Sequence, residues 1–332
     1  MANVKSKRNP RAKKQFSSNL LNALNFVSVA QKKKGLPFQT HCVFNNNTVR
    51  AYDGMLSAGH IIEEDLSAMP QTEAFRNALS LCGDTLTITQ LDAERLAVKS
   101  GGFSAYFPCL PDDMPTIEPD PPRALLDARL LDGFKLISHL ADEEKDKIAL
   151  NSLLVKSGSM FATNGFIVLE YWHGIDLPYP LVIPKSAISA LLKANQKLEK
   201  FGFSQSTFTF YFENNSWIKT QLFNNEWPNT DFILNADSNP WPLIADFYKG
   251  LTCIESFSKD RVFFKADKMQ SSKEETEGAS FELSGLPEGP IFSITQLKLI
   301  QGLFDKIDFT TYNDKAYFFG ENLRGAIMRC RE

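Results

Sequence analysis

The stretch from Lys147 to Trp172, KIALNSLLVKSGSMFATNGFIVLEYW, and its continuation from Leu181 to Lys200, LVIPKSAISALLKANQKLEK, decide the reading of the fold. Apolar runs at 149–156, 160–163 and 166–172 are short and rich in β-branched and aromatic residues, the signature of strands. Ala162-Thr163-Asn164-Gly165 turns one strand into the next, because Asn-Gly accepts the positive φ of a tight hairpin. Pro184 then opens a helix expected to reach Lys200. At about 100° per residue from Lys185, Lys193 falls near ~80°, Lys200 near ~60° and Lys197 near ~120°. Ala187, Ile188, Leu191, Leu192 and Leu198 fall between about 200° and 340°, so one side is apolar and the other basic. A solvated face is the ordinary reading of such a pattern. In an acidic protein, lysines spaced along a smooth helix also suit phosphate contact without base reading.

The same order occurs before and after this stretch. Upstream, Phe16, Leu20, Leu24 and Val27 mark a helix over 15–30, and strands are expected at 41–44, 48–52 and 55–62. A second helix is expected from Pro70 to Cys82, followed by strands at 86–90, 95–99 and 103–109. Ala51-Tyr52-Asp53-Gly54 matches Ala162-Thr163-Asn164-Gly165 at an offset of 111 residues. Residues 110–123, LPDDMPTIEPDPPR, hold five prolines and read as a boundary, since prolines cannot occupy a central strand or helix interior. Helix positions Leu126, Leu130, Phe134 and Ile137 begin the second copy, and a hairpin of 203–212 with 216–223 ends it. In the third copy Leu243, Phe247, Leu251 and Ile254 mark one helix, and Ile294, Leu297, Ile300 and Phe304 mark another. Its strands are expected at 261–266, 280–284, 308–312, 316–319 and 324–329, around a charged loop, KMQSSKEETEG, expected to be mobile. The organisation is therefore α+β, three tandem copies of one unit: a basic, disordered tail at 1–14, then domains at 15–120, 121–236 and 237–332.

Composition narrows the function. The chain has 332 residues, 43% hydrophobic, with 27 phenylalanines, which supports packed cores. No apolar run approaches the ~18 residues of a membrane span, and the N-terminus lacks a signal-peptide core, so a cytoplasmic protein with no membrane partner is expected. The net charge of −3 conceals an asymmetry: residues 1–14 carry six basic groups and no acid, leaving 30 basic against 39 acidic groups in the remaining 318, a net of −9. Five scattered cysteines form no CxxC pair and read as buried thiols. No phosphate loop, dinucleotide fingerprint, HExxH or GxSxG occurs, and the four histidines lack partners at metal-ligand spacing. The acidic pairs Glu63-Glu64, Asp112-Asp113 and Glu143-Glu144 read as solvated surface. Nothing in the sequence asks for a catalytic residue, a metal or a cofactor.

The segments ERLAVKSGGFSAYFPCLPDDMP (94–115), ATNGFIVLEY (162–171), LVIPKSAISALLK (181–193) and TQLFNNEWPNTDFIL (220–234) resemble, in order and spacing, landmarks of the bacterial DNA polymerase III beta subunit, the sliding clamp. IFSITQLKLIQGLF (291–304) and GAIMRCRE (325–332) resemble its third domain. The resemblance implies a non-catalytic processivity factor: a head-to-tail homodimeric ring of clamp domains with twelve helices lining the hole, sheets outside, and duplex DNA bound without regard to sequence. It places Lys34, Lys185 and Lys193 towards DNA; helical periodicity extends that face to Lys197 and Lys200. It also implies a hydrophobic pocket for short peptide motifs of the polymerase and clamp loader, at Leu150, Thr163, Gly165, Val168, Pro228, Ile233, Met328 and Arg331. Across each protomer junction it pairs an edge strand near 103–107 with one near 261–266. Gly165-Phe166-Ile167-Val168 and Met328-Arg329-Cys330-Arg331-Glu332 depart from the family's Gly-His-Arg-Leu and Met-Pro-Met-Arg-Leu, which points to a divergent member, of the kind a phage or mobile element encodes. A clamp-derived scaffold that binds replication proteins without encircling DNA is the alternative.

Overall fold

The structure, a computed structural model, describes residues 10–83, 85–92, 94–111, 115, 117–125, 127–194, 196–274 and 276–331, with side chains from residue 19 onward. Its helices are α1 (Pro10–Val27), the single turn α2 (Pro37–Thr40), α3 (Thr72–Ser80), α4 (Ala128–Ile137), α5 (Lys185–Lys193), the single turn α6 (Asp231–Leu234), α7 (Phe247–Glu255) and α8 (Ile294–Leu299). Leaving out the single turns, each sequence repeat contributes two helices among the described residues: α1 and α3, α4 and α5, α7 and α8.

Several boundaries differ from the sequence reading for identifiable reasons. Helix α1 begins at Pro10, because proline suits a first helical turn and Arg-Ala-Lys-Lys continues it well. Residues 1–9 of the basic tail lie outside the described residues. Neither Pro70 nor Pro184 opens a helix. Each closes a strand, opposite Cys109 and Ser152 respectively, and the helix follows: α3 is capped by Gln71 Oε1, which accepts from Ala74 N at 2.6 Å. Helix α5 stops at Lys193, seven residues short of Lys200, because Leu198–Phe203 is a strand paired with Thr207–Phe212. The rings of Phe201, Phe203 and Phe208 stack there, and burying them outweighs the helix propensity of the lysine-rich segment.

Among the described residues all strand pairs are antiparallel, and they form four sheets. In spatial order the seven-stranded sheet runs Val43–Asn45, Thr48–Tyr52, Leu56–Ile61, Trp217–Gln221, Thr207–Phe212, Leu198–Phe203, Pro122–Leu125. The eight-stranded sheet runs Leu181–Pro184, Ser152–Val155, Ser159–Thr163, Ile167–Trp172, Leu323–Met328, Lys315–Gly320, Lys306–Asp308, Trp241–Pro242. Two four-stranded sheets complete the set: Met69–Pro70, Phe103–Leu110, Arg95–Ser100, Leu86–Asp92, and Ser280–Glu282, Lys268–Gln270, Arg261–Lys265, Ile291–Ser293. Each repeat thus owns two half-sheets. Both halves of the middle repeat continue into a neighbour's, through Trp217–Thr220 against Leu56–Gly59 and Ile167–Tyr171 against Leu323–Ile327. Compactness follows the sheets: one unit holds Met1–Leu126 with Ser186–Leu222, the other Asp127–Lys185 with Phe223–Glu332.

The proline-rich segment is pinned within the first unit rather than loose. Buried Asp120 accepts from Thr207 and Thr209 hydroxyls at 2.8 Å each and from Lys219 Nζ at 3.2 Å, while its own N–H donates to Thr209 Oγ1 at 3.0 Å. Two strand expectations are corrected in the second unit. Lys268–Gln270, inside the segment read as a mobile loop, is a strand paired with Ser280–Glu282. Arg261–Lys265 is interior, flanked by Lys268–Gln270 and Ile291–Ser293, so it has no open edge; that sheet's outer strands are Ser280–Glu282 and Ile291–Ser293. In the first unit, Phe103–Leu110 meets Met69–Pro70 only at Cys109 and Leu110, leaving the rest of that side unpaired among the described residues. Of the cysteines, Cys42 and Cys109 are buried and Cys253 is exposed. Among the described residues no helix is long and apolar enough to cross a membrane.

Both seams close over a glycine. A Cβ on Gly59 would stand 2.5 Å from Trp217 Cε2, and one on Gly325 would stand 2.7 Å from Leu169 Cδ2 and against the Phe318 ring. Gly59→Ala and Gly325→Ala are each expected to destabilise the fold by about 1–3 kcal/mol in denaturant titrations. Gly102→Ala, in open space, is expected to stay within about 0.5 kcal/mol.

Candidate functional site

The first long helix of each repeat buries the same pattern, apolar, small, apolar, apolar, at spacing 0, 3, 4 and 7: Leu20, Ala23, Leu24, Val27; Leu130, Gly133, Phe134, Ile137; Phe247, Gly250, Leu251, Ile254. The small residue lets the helix lie close to its sheet. A Cβ on Gly133 would stand 2.7 Å from Met160 Sδ, and one on Gly250 2.8 Å from Phe281 Cδ1. With one stripe held down, the opposite faces are left to charge.

On α5, Ala187, Ile188, Ala190 and Leu191 are buried, Lys185 is half-buried and Lys193 is exposed. Leu192, which the wheel sets at the apolar edge, is 38% exposed. Lys34 is exposed in a loop beside Lys32 and Lys33. Lys34 and Lys193 form no ion pair among the described residues. Lys197 and Lys200 do not continue the face. Both lie beyond the end of α5, where 100° periodicity no longer applies; Lys197 pairs with Glu213, and Lys200 with Glu199 at 3.3 Å. Two basic groups on helices were missed: half-buried Arg76 on α3, 3.5 Å from Ser28 Oγ, and exposed Lys135 on α4. Their signal was present, since each follows or precedes a buried apolar position by one residue. Elsewhere the helices neutralise themselves, through Arg129 with Asp127 at 2.7 Å and Lys298 with Glu255.

A second feature lies wholly within the second unit. Leu154, Phe161, Val168, Val182, Tyr317 and Ala326 pack together with Leu234 of α6 on the eight-stranded sheet. The register explains the grouping, because Val182, Leu154 and Phe161 face each other across three strands, as do Val168, Ala326 and Tyr317. The segment 223–236 lies against this cluster as a strap, through Phe223, Trp227, Ile233 and Ala236. Phe223 N donates to Val182 O at 3.0 Å. Tyr317 donates its hydroxyl to Ile233 O at 2.5 Å, and burial pushes that phenol up to about 12. Arg324 donates to Leu234 O at 3.0 Å, to Asn235 Oδ1 at 2.8 Å and to buried Glu170 at 2.6 Å.

Most of the residues assigned to a peptide pocket come together here. Val168 and Ile233 belong to the cluster. Thr163 is the cross-strand partner of Val168, and its hydroxyl donates to Ile167 O at 2.6 Å while accepting from Gly165 N at 3.1 Å. Gly165 takes φ 89°, a left-handed value that favours glycine, and Leu150 Cδ2 is 3.7 Å from where its Cβ would stand. Met328 is exposed and donates its N–H to Phe166 O at 2.9 Å. Pro228 is exposed beside Trp227, and Arg331 is exposed with no contact that joins it to the others.

No protein-family model matches the sequence, and no curated protein matches it. Solved structures do. The DNA polymerase III subunit beta from Pseudomonas aeruginosa matches at TM-score 0.78 and 16% identity, over 95% of this chain and 98% of its own. The beta subunit from DNA polymerase of Streptococcus pyogenes matches at 0.80 and 15%, with the same coverage. The Helicobacter pylori beta clamp, solved bound to a DNA ligase peptide, matches at 0.78 and 15%, again with that coverage.

This chain has the fold of the bacterial sliding clamp.

The clamp fold is spanned from end to end, so the three-repeat α+β reading agrees with it. Sequence reasoning missed Trp227, Tyr312 and Tyr317 at the cluster, because their neighbours come from distant segments. Among the described residues, no group of three His, Cys, Asp or Glu side chains is placed to hold a metal. One acidic pair departs from the sequence reading. Glu64 is buried, and desolvation pushes its carboxyl up to about 7. The folded chain therefore holds a proton between about 4.5 and 7 that the unfolded chain releases, so stability falls as pH rises through that window. Glu64→Gln is expected to raise the melting temperature at pH 8 and to change it little at pH 4, which thermal melts across pH would check.

Proposed function

We propose that the protein is a DNA polymerase processivity factor, a non-catalytic ring of two copies joined head to tail around duplex DNA in the cytoplasm. The match to clamps over 95% of the chain, with two longer helices in each of three repeats, carries this reading. Two copies then present twelve helices. Such a ring holds DNA by topology, so its phosphate contacts need only be weak and interchangeable for it to slide. Lys34, Lys185 and Lys193 supply them; Lys197 and Lys200 drop out because both carry carboxylate partners off the helix.

The free strand edges support the closure. In the proposed junction the third repeat would offer its outer strand Ser280–Glu282, and the first repeat the part of Phe103–Leu110 that Met69–Pro70 leaves uncovered. Pairing them would satisfy backbone groups that otherwise invite aggregation. The apolar cluster under the strap is the proposed holding site for short peptides of the polymerase, the clamp loader and other replication proteins. Its support is the presence of Val168 and Ile233 in the cluster, the pairing of Thr163 with Val168, the approach of Leu150 to Gly165, and the DNA ligase peptide bound to the Helicobacter pylori clamp. The same ligase peptide is a usable probe of this chain.

Loading onto nicked circular DNA with the cognate clamp loader tests the reading. Retention through gel filtration, and release once the circle is cut, are expected. Lys185→Glu with Lys193→Glu is expected to lower loading about ten-fold at moderate salt, with a shallower salt dependence. A complex that survives linearisation contradicts encirclement.

A further inference from the structure

Trp227 stands in the strap between two fastened ends. Phe223 N is tied to Val182 O, and the chain is tied again at Ile233, whose carbonyl accepts from the Tyr317 hydroxyl at 2.5 Å. Among the described residues, no backbone group of residues 224–228 makes a hydrogen bond. Asn224, Asn225, Glu226 and Pro228 are exposed, whereas the Trp227 indole packs against the apolar cluster that includes Val168. Its Nε1–H is shut off from solvent and has no acceptor among the described residues. An N–H donor buried without an acceptor bears its whole desolvation cost, so the indole is well packed at its ring and poorly satisfied at one atom. Moving out would restore a water to that N–H and leave apolar surface behind. An apolar peptide side chain could cover that surface; water could not.

We propose that Trp227 is a plug, an indole that occupies the apolar cluster in the free protein and is displaced when a partner peptide enters. The proposal rests on the peptide-holding reading above. It makes the strap between Phe223 and Asn229 the moving part, while Tyr317 and Arg324 keep α6 and Asn235 in place. The observed affinity for a peptide is then the affinity of the open form reduced by the fraction of molecules that are open.

The test is binding of a fluorescein-labelled DNA ligase peptide to the full chain, read by anisotropy. Trp227→Ala removes the plug and is expected to tighten binding about ten-fold. Trp227→Phe keeps a ring in the cluster but removes the unsatisfied donor, so the closed form gains and binding is expected to weaken about two-fold or more. If Trp227 were a fixed wall of the site, Trp227→Ala would weaken binding, which overturns the plug. Should Trp227→Ala fail to fold, tighter or unchanged binding by Trp227→Phe overturns it alone. Peptide binding that neither variant alters removes the plug and leaves the peptide site intact; no binding by wild type or either variant overturns both.

Discussion

The pairing of strand edges between repeats is the constraint on which the rest depends. An unpaired edge presents a row of backbone donors and acceptors that must find partners. Trp217–Thr220 finds Leu56–Gly59, and Ile167–Tyr171 finds Leu323–Ile327, each across more than a hundred residues of chain. Those seams turn six half-sheets into four sheets and explain why compactness divides the middle repeat between two units. Two half-sheets, one at each end of the repeat order, are left without an in-chain continuation. In the proposed ring they complete each other, so the assembly follows the rule that already joins the repeats.

The two proposed functional surfaces differ in the strength they require. In the proposed ring, contacts from Lys34, Lys185 and Lys193 to phosphates would be exchanged continually as it slides, and weak, screened interactions serve that purpose. Peptide capture needs a desolvated apolar patch instead. The cluster of Leu154, Phe161 and Val168 is the patch proposed for it, and the strap over it is held at its far end by Arg324 and by Tyr317. The near end, where the Trp227 N–H finds no acceptor among the described residues, is held less completely.

Much of this was legible in local sequence. The strand at 48–52 was placed to the residue, and Asp53-Gly54 and Asn164-Gly165 marked real turns, with Gly54 and Gly165 at positive φ. Helix stripes such as Leu130, Phe134 and Ile137 were readable because helical periodicity is a local property. The end of α5 was not, since KANQKLEK favours helix by composition and only the distant Thr207–Phe212 strand recruits Leu198–Phe203 away from it. That error carried Lys197 and Lys200 onto a helix face they do not share. Burial of Glu64 and convergence at the strap likewise depend on tertiary neighbours; Trp227 and Tyr317 are 90 residues apart in sequence and meet at one cluster.

The proposed ring makes a single demand, that two copies associate. Sedimentation equilibrium at micromolar concentration measures it directly. The account predicts a species of twice 37.3 kDa, and a stable monomer at that concentration would contradict it.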